Sequence, residues 1–295
     1  MLRIIATTLI VEFILRFGVD MGKKALYIEN ENCEYHLVPN QDFSRFHNNY
    51  STNEYGMRSH KVLKSDKKRI LLIGDSVING GSRIDQEELV SYKLEEQLRS
   101  DYGDNVSVYN ISAGSWGPEN AYQFLINNVD FSYDVAILIF SSHDFNDNMH
   151  HRTVVGEQIA WPNQHPMTAI TDAFGNYAWP RIKSFLGYKN DYLAGFDDSA
   201  INPGWSKFRS TFNQNSINYF VYLHPDKGEL EAGSLDEQGI DLMQYLDSLE
   251  MPYISGIETE DLDGYTDNIH VNSSSHEKMA ETLFKEIMNR NLLNE

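Results

Sequence analysis

Five short apolar runs, separated by segments with helical periodicity, dominate the pattern of this chain. The runs have the length and composition of buried parallel strands, and they lie at 69–73, 106–110, 135–140, 219–223 and 253–257. Between them, apolar side chains recur at helical spacing at 87–99, from Pro118 onwards, at 236–249 and at 274–288. Strands that alternate with helices predict a doubly wound α/β domain with a parallel sheet of about five strands.

The N-terminal residues precede this alternation. Residues 4–19 are mostly apolar, but Glu12 and Arg16 interrupt them at a spacing that allows pairing on one helix face. The run is slightly short for a full membrane span. We therefore expect residues 1–24 to form a membrane anchor, which would associate through residues 2–19, or a helix docked on the domain. Residues 25–65 show no clear periodicity and are interpreted as an extended approach to a domain at 66–295.

An aromatic-rich insertion at 149–205 breaks the alternation of strands and helices. Its aromatic residues are Trp161, Phe174, Tyr177, Trp179, Phe185, Tyr188, Tyr192, Phe196 and Trp205. A stretch of this length inside a compact domain is usually functional, or has structure that periodicity does not reveal. Two interpretations stay open: a cap over the site, with aromatic faces for a sugar ring, and a simple packed insertion.

Charge and cysteine content narrow the classes of function. The 295 residues include 24 basic and 43 acidic side chains, which gives a net charge of −19. This balance argues against a nucleic-acid partner or an anionic membrane surface. Cys33 is the single cysteine, so the chain forms no internal disulfide and its compartment stays open. The carboxylates beside Cys33 would raise its pKa, which disfavours a thiolate nucleophile.

Reactive side chains follow several of the predicted strands. In an open parallel sheet, ligands bind at the carboxyl ends of the strands. The segments found there are 74–76, 110–114, 141–147 and 267–270. Ser76 stands at a strand-to-helix turn, where its hydroxyl can be exposed and its own N–H can face a developing oxyanion. Gly114 allows the backbone to approach a ligand closely.

The spacing of Asp267 and His270 supplies the base and the carboxylate that a serine nucleophile needs. A serine hydroxyl is a weak nucleophile and needs a base, and a histidine suits that task near neutral pH. A carboxylate three residues before the histidine can orient the imidazole and stabilise its protonated form. Each of these signals is weak alone, but their fixed order at successive strand ends predicts a Ser76–His270–Asp267 triad.

Taken together, these segments resemble the SGNH (GDSL-like) hydrolase family over roughly residues 53–290. The matching blocks are Ile73-Gly74-Asp75-Ser76, Asn110-Ile111-Ser112-Ala113-Gly114 with Trp116 and Gly117 behind it, and Tyr265-Thr266-Asp267-Asn268-Ile269-His270-Val271-Asn272. The segment 53–58 also resembles one found in membrane-anchored bacterial members. The resemblance implies a flavodoxin-like three-layer α/β/α fold and metal-free, cofactor-free chemistry on O-acyl esters. It assigns the oxyanion hole to Ser76, Gly114 and the residue that stands at 143.

The third block departs from the family pattern. His143 stands where the family has an asparagine that donates to the oxyanion, although an imidazole N–H can also donate. Asn146 is an alternative donor, and Asp75, Trp116 and Asp144 are expected to line the pocket. A metal site is not expected in the acidic and histidine-rich run at 143–151, because the adjacent histidines at 150 and 151 cannot easily face one ion.

The sequence thus favours an esterase that removes an acyl group, most simply O-acetyl, from a carbohydrate or another small ester through an acyl-Ser76 intermediate. One alternative is an O-acyltransferase acting on a polysaccharide, because the acyl-enzyme is common to both reactions. Another is a non-catalytic glycan-binding module in which His143 marks lost chemistry. The resemblance to anchored bacterial members implies a membrane-associated protein with an extracytoplasmic catalytic domain, and a cytoplasmic location stays open.

Overall fold

The computed structural model describes residues 1–64, 68–187 and 199–293. Its strands are β1 (Tyr27–Asn30), β2 (Glu34–Leu37), β3 (Asp42–Arg45), β4 (Asn48–Ser51), β5 (Lys68–Gly74), β6 (Val106–Ser112), β7 (Val135–Ser141), β8 (Asn218–His224) and β9 (Tyr253–Ser255). Its α-helices are α1 (Leu2–Phe13), α2 (Ser76–Asn79), α3 (Val90–Tyr102), α4 (Pro118–Asn128), α5 (Ala169–Ala173), α6 (Trp179–Phe185), α7 (Gly204–Gln214), α8 (Lys227–Ala232), α9 (Glu237–Ser248) and α10 (Ser273–Asn289).

The five predicted strands form one parallel sheet in the order β6-β5-β7-β8-β9. This is the flavodoxin-like order, in which the chain reverses its direction of progress across the sheet between β5 and β7. The residue pairs Gly74–Ser112 and Ser141–His224 are in register, so the ends of these four strands lie along one edge. The predicted fold class is confirmed.

Helices cover both faces of the sheet and give the three layers. On one face, Leu71 and Leu138 pack in a core with apolar residues of α4, α7 and α9. On the other face, Ile70 and Ile137 pack against α3 and α10. Adjacent residues of β5 thus point into opposite cores. All seven residues of β6 and of β7 are buried, as expected for strands covered on both faces.

Most element boundaries lie close to those that periodicity predicts. Pro118 is the first residue of α4, where its missing N–H costs nothing. The predicted helix at 87–99 begins later, at Val90, because a short 3₁₀ turn occupies Gln86–Glu88. The last strand ends at Ser255, two residues early. A Cβ on Gly256 would lie 2.6 Å from the Tyr222 hydroxyl, so the chain turns there at a residue without a side chain.

The segment 25–65 has more regular structure than the extended approach expected from the sequence. Strands β1 and β2 pair as one antiparallel hairpin, and β3 and β4 pair as another. Cys33 and Tyr35 are buried in the core on the α4 side of the sheet. Each of these strands has four residues, which is too short for an alternating pattern to reveal them.

The N-terminal helix α1 contacts the domain through its polar residues. Its Glu12 pairs with Arg16 at 2.7 Å, as the spacing predicts, and also accepts hydrogen bonds from the Ala169 and Ile170 N–H groups at the start of α5. None of the residues of α1 is buried. Within the described ranges, no helix has both the length and the apolar character needed to cross a bilayer.

The aromatic-rich insertion contains α5, a π-helical turn at Phe174–Ala178, and α6. Trp161 and Trp205 are buried in the core, whereas Phe174 and Trp179 are exposed. The aromatic residues Tyr188, Tyr192 and Phe196 lie outside the described residues.

Candidate active site

Ser76 lies immediately after the central strand β5. A Cβ on Gly74 would lie 2.4 Å from the Ile139 carbonyl oxygen, so a residue without a side chain is needed where β5 passes β7. Asp75 caps α2 by accepting a hydrogen bond from the Val77 N–H at 2.9 Å. Ser76 is therefore the first residue of a helix at the carboxyl end of β5. Its backbone N–H lies beyond the hydrogen bonds that pair β5 with its neighbours.

Ser76, His270 and Asp267 form a continuous hydrogen-bonded set. The Ser76 Oγ and His270 Nε2 atoms are 2.9 Å apart. On the other side of the ring, His270 Nδ1 is 2.9 Å from Asp267 Oδ2 and 3.1 Å from Oδ1. In this arrangement Nδ1 donates to the carboxylate, which leaves the lone pair of Nε2 to accept the serine proton.

The carboxylate of Asp267 is held in its charged form by local donors. Its Oδ1 accepts the backbone N–H groups of Ile269 at 3.0 Å and His270 at 2.8 Å. Burial alone would raise the pKa of Asp267, but these donors and the His270 imidazole outweigh it and lower the pKa below its ordinary value. A permanent carboxylate fixes the imidazole tautomer that a general base requires.

The triad opens onto a cavity of about 310 Å³. It is lined by Glu34, Tyr35, Asp75, Ser76, Ser115, Trp116, Asn120, His143, Asp147, Asn148, His150, Arg152, Val154, Ile269 and His270. The predicted residues Asp75, Trp116 and His143 are thus brought to the same cavity as Ser76. The insertion contributes His150, Arg152 and Val154 to the wall, and its described aromatic residues do not line it.

Two of the expected oxyanion donors, Gly114 and Asn146, lie outside the cavity wall. Gly114 is hydrogen-bonded to the Tyr27 hydroxyl, and its carbonyl accepts the Tyr35 hydroxyl at 2.8 Å. Its neighbours Ser115 and Trp116 line the cavity instead. Asn146 accepts a hydrogen bond from the side-chain amide of Gln238. The structure therefore brings His143, rather than Asn146, to the cavity that Ser76 lines.

Asp144 is fully buried behind His143. Its Oδ2 accepts the Ser141 N–H at 2.7 Å, and its Oδ1 lies 3.8 Å from His143 Nε2. Burial raises the pKa of Asp144, and the nearby Asp144 charge raises the pKa of His143. The pair therefore keeps a proton at a pH where an isolated histidine would lose it.

Together with Asp75, His143 and Asp144 form the group that most resembles a metal site among the described residues. Ligand atoms of Asp75, His143 and Asp144 lie within 4.8 Å of one another. Two carboxylates around one imidazole are also the arrangement that stabilises an imidazolium without a metal ion. His143 and Asp144 are at ion-pair distance, as this second arrangement requires.

Two supports of the site were missed by sequence analysis. Arg58 is fully buried and donates to the carbonyl oxygens of Asn79, Gly81 and Ile84, which follow the nucleophile. Glu229 of α8 accepts the Ser142 hydroxyl, next to His143. Arg58 belongs to the segment 53–58, which the sequence singled out, but its buried role beneath the nucleophile had no signal. Glu229 stands three residues after Asp226, at the spacing of a helix capping box, which marks the start of α8 but not the contact with Ser142.

No family model and no curated protein matches this chain. Solved structures with a similar fold include a lipase/acylhydrolase from Enterococcus faecalis, which is 12% identical over 76% of this chain and 96% of its own, with a TM-score of 0.44. A psychrotrophic esterase from Pseudoalteromonas sp. is 11% identical over 78% and 100%, with a TM-score of 0.47. A carbohydrate acetylesterase from Sinorhizobium meliloti is 14% identical over 76% and 100%, with a TM-score of 0.41. Likenesses this distant carry no argument about the chemistry of this chain.

Proposed function

We propose that the chain is a serine-dependent ester hydrolase of the SGNH type that works through an acyl-Ser76 intermediate. The observation that carries the proposal is the hydrogen-bonded series Ser76 Oγ, His270 Nε2, His270 Nδ1 and Asp267, in which each link is 2.9 Å long. A binding module has no need of a serine in contact with an oriented base. This geometry therefore favours catalysis over the non-catalytic alternative.

The reaction follows from the donor and acceptor roles of the triad. Ser76 Oγ attacks the ester carbonyl while His270 Nε2 takes its proton, and Asp267 stabilises the resulting imidazolium. The imidazolium then protonates the departing alcohol, which leaves an acyl-Ser76 ester. Water, deprotonated by His270, attacks this ester and releases the acid, and Ser76 recovers its proton.

Charge develops on the carbonyl oxygen in both steps and requires donors. The Ser76 N–H, at the start of α2, and the His143 imidazole belong to residues that line the cavity. Gly114 would have to exchange its contact with Tyr27 for the substrate to act as the third donor. We therefore assign the oxyanion chiefly to Ser76 and His143.

An acylated sugar is the substrate class we favour. The cavity wall combines the aromatic side chains of Tyr35 and Trp116 with the polar side chains of Asn120, Asn148 and Arg152. Such a mixture suits the apolar faces and the hydroxyl groups of a sugar ring. The acyl group proposed is acetyl.

Transfer to a sugar hydroxyl is the second candidate reaction. The side chains of His270 and Asp267 are 43% and 52% exposed, so the acyl-enzyme is open to water and to a larger acceptor. The two reactions differ only in the acceptor. Incubation with an acyl donor and candidate glycans, followed by mass spectrometry of the glycans, separates transfer from hydrolysis.

The decisive test is turnover of p-nitrophenyl acetate and of a peracetylated monosaccharide. Ser76→Ala and His270→Ala should each lower kcat by roughly 10⁴-fold or more, and the double variant should lose little more, because the residues act as a unit. Asp267→Asn should lose less than Ser76→Ala. Wild-type turnover in Ser76→Ala would refute the proposed function.

A further inference from the structure

A buried polar cluster lies directly beneath the turn that carries Asp267 and His270. His224, the last residue of β8, is 0% exposed, and the side chain of its partner Glu260 is 1% exposed. In the sequence, His224 belongs to a His-Pro dipeptide and Glu260 to an acidic loop, and neither position carries a recognisable motif. Neither takes part in the reaction described above.

The two nitrogens of His224 have different partners. Nε2 lies 2.8 Å from the carbonyl oxygen of Ile269, and Nδ1 lies 2.8 Å from Glu260 Oε1. A carbonyl oxygen can only accept, so Nε2 carries a hydrogen. Burial would lower the pKa of His224, but Glu260 and the Ile269 carbonyl outweigh it and raise the pKa to about 9. Near neutral pH the ring is therefore an imidazolium that donates at both ends.

Glu260 is fixed by donors on both of its oxygens. Oε1 accepts the Tyr222 hydroxyl at 2.7 Å as well as His224, and Oε2 lies 2.8 Å from the Tyr265 hydroxyl. The Tyr265 ring also stacks on the His224 ring, with centroids 5.7 Å apart and planes 10° from parallel. The imidazolium is thus oriented by a carboxylate whose two oxygens are both hydrogen-bonded.

The catalytic turn is anchored to this cluster through its backbone. Its two ends are joined by the bridge between Tyr265 and Val271. Between them, the Ile269 carbonyl accepts His224 and the Asn268 carbonyl accepts the Lys227 N–H at 2.8 Å. Ile269 precedes His270, so the peptide that His224 holds is the one from which the catalytic histidine projects.

We propose that His224, oriented by Glu260, is a positioning residue that sets the imidazole of His270 at the distance Ser76 requires. This inference rests on the proposed function. A buried ion pair is a poor means of adding stability, since apolar residues of the same volume often serve equally well. A misplacement of ~1 Å at a catalytic group can cost ~10²-fold in rate.

The sharpest variant removes the pair without leaving a lone buried charge. His224→Leu combined with Glu260→Met should fold with a moderately lower melting temperature, because both charges are lost together but the Tyr222 hydroxyl and the Ile269 carbonyl lose their partners. Its kcat for p-nitrophenyl acetate should fall by about 10- to 100-fold, with KM within threefold. Rates are expressed per active serine, counted from the nitrophenolate released by a p-nitrophenyl phosphonate.

Single variants test which atom matters. His224→Gln can place an amide N–H near the position of Nε2, so it should retain a kcat within about tenfold of the wild type and above that of the double variant. Tyr222→Phe is the matched control, because Glu260 keeps its hydrogen bonds to His224 and Tyr265 and the catalytic turn loses none. Its kcat per active serine should stay within about threefold.

Three results would overturn the proposal. One is a wild-type kcat per active serine in the double variant. The second is a loss confined to the number of titratable serines, as incomplete folding would give. The third is a loss in His224→Gln as large as in the double variant. Retained turnover in Ser76→Ala would instead refute the proposed function, so the two failures are distinguishable.

Discussion

At the scale of single residues, His143 is the position where the site differs most from the SGNH pattern that the sequence resembles. Its imidazole lines the cavity, and Asp144 lies behind it, 3.8 Å away. An asparagine would bring a neutral dipole to the oxyanion, whereas this histidine can bring a positive charge supported by a buried carboxylate. The chemical role can therefore survive the substitution.

We expect His143→Ala to lower kcat by roughly 10²- to 10³-fold with little change in KM, which is the usual effect of removing one oxyanion donor. His143→Asn should retain more activity, because its amide N–H has nearly the same reach. The measurement is steady-state turnover of p-nitrophenyl acetate. Asn146→Ala is the control and should stay close to the wild type, because Asn146 bonds Gln238 away from the cavity.

A different ranking of these variants would reassign the donor. If Asn146→Ala abolished turnover and His143→Ala left it unchanged, the oxyanion would be held by Asn146 after a movement of its loop.

The site residues could be predicted from the sequence only where neighbouring residues marked them. Asp267 and His270 lie three residues apart in one turn, and Ser76 directly follows an apolar run, so each could be proposed from its neighbours. His224 and Glu260 are 36 positions apart and meet only when β8 and the loop after β9 are folded. No short-range spacing marks such a pair. Gly114 shows the converse, because its contact with Tyr27 depends on a hairpin that the sequence pattern did not reveal.

At the scale of elements, α1 combines an apolar surface with one hydrogen-bonded carboxylate. Leu2, Ile4, Leu9 and Phe13 are more than half exposed. The carboxylate of Glu12, in contrast, is engaged by Arg16 and by the start of α5. An exposed apolar helix of this kind is suited to the interface of a lipid bilayer.

We expect the full chain to float with phosphatidylcholine vesicles in a density gradient, and a variant lacking residues 1–18 to remain in the soluble fraction. Ester turnover of the shortened variant should stay within about twofold, because the triad contacts none of the deleted residues. Glu12→Ala is the control: it weakens docking to α5 but keeps the apolar residues, so it should still float. A full chain that stays soluble, together with a deletion that unfolds, would make α1 part of the fold instead.

Element prediction succeeded where burial imposes a pattern. The five sheet strands and the helices α3, α4, α9 and α10 carry long apolar runs or stripes, because they are packed against the sheet. The four-residue strands β1 to β4 carry no such run. They become ordered through particular contacts, such as the pairing of Arg45 with the buried Asp172 of the insertion. Contacts of that kind are invisible to periodicity.

At the scale of the whole molecule, the His224–Glu260 pair should couple stability to pH. The pKa of His224 is raised from 6.5 to about 9, so its contribution is fully present below pH 6.5 and is lost as the pH rises through about 9. The charged or titratable groups that face it are Glu260, Tyr222, Tyr265, Asp75, His143 and His276. Burial lowers the pKa of His276 to about 3, so it stays neutral across this range.

We expect the free energy of unfolding, measured with urea, to fall between pH 6.5 and 9 with a slope of up to ~1.4 kcal/mol per pH unit. His224→Gln should flatten the curve in this range, because it removes the group that titrates. Repulsion among the charges of a chain with a net charge of −19 also changes the free energy of unfolding with pH. It acts equally on the wild type and on His224→Gln, so the difference between their curves is free of it. Parallel curves for the two proteins would show that His224 is not protonated in the folded state.

The order of strands in the sheet also sets when activity can first appear. Ser76 and His270 are 194 positions apart, and β8 must lie beside β7 before the turn with His270 can reach the serine. At a synthesis rate of ~5–20 residues per second, the nucleophile is made about 10–40 s before its base. During that interval the serine is inert, so the growing chain cannot be trapped as an acyl adduct. The first ester hydrolysed therefore indicates that β8 has paired with β7 and that His270 has reached Ser76.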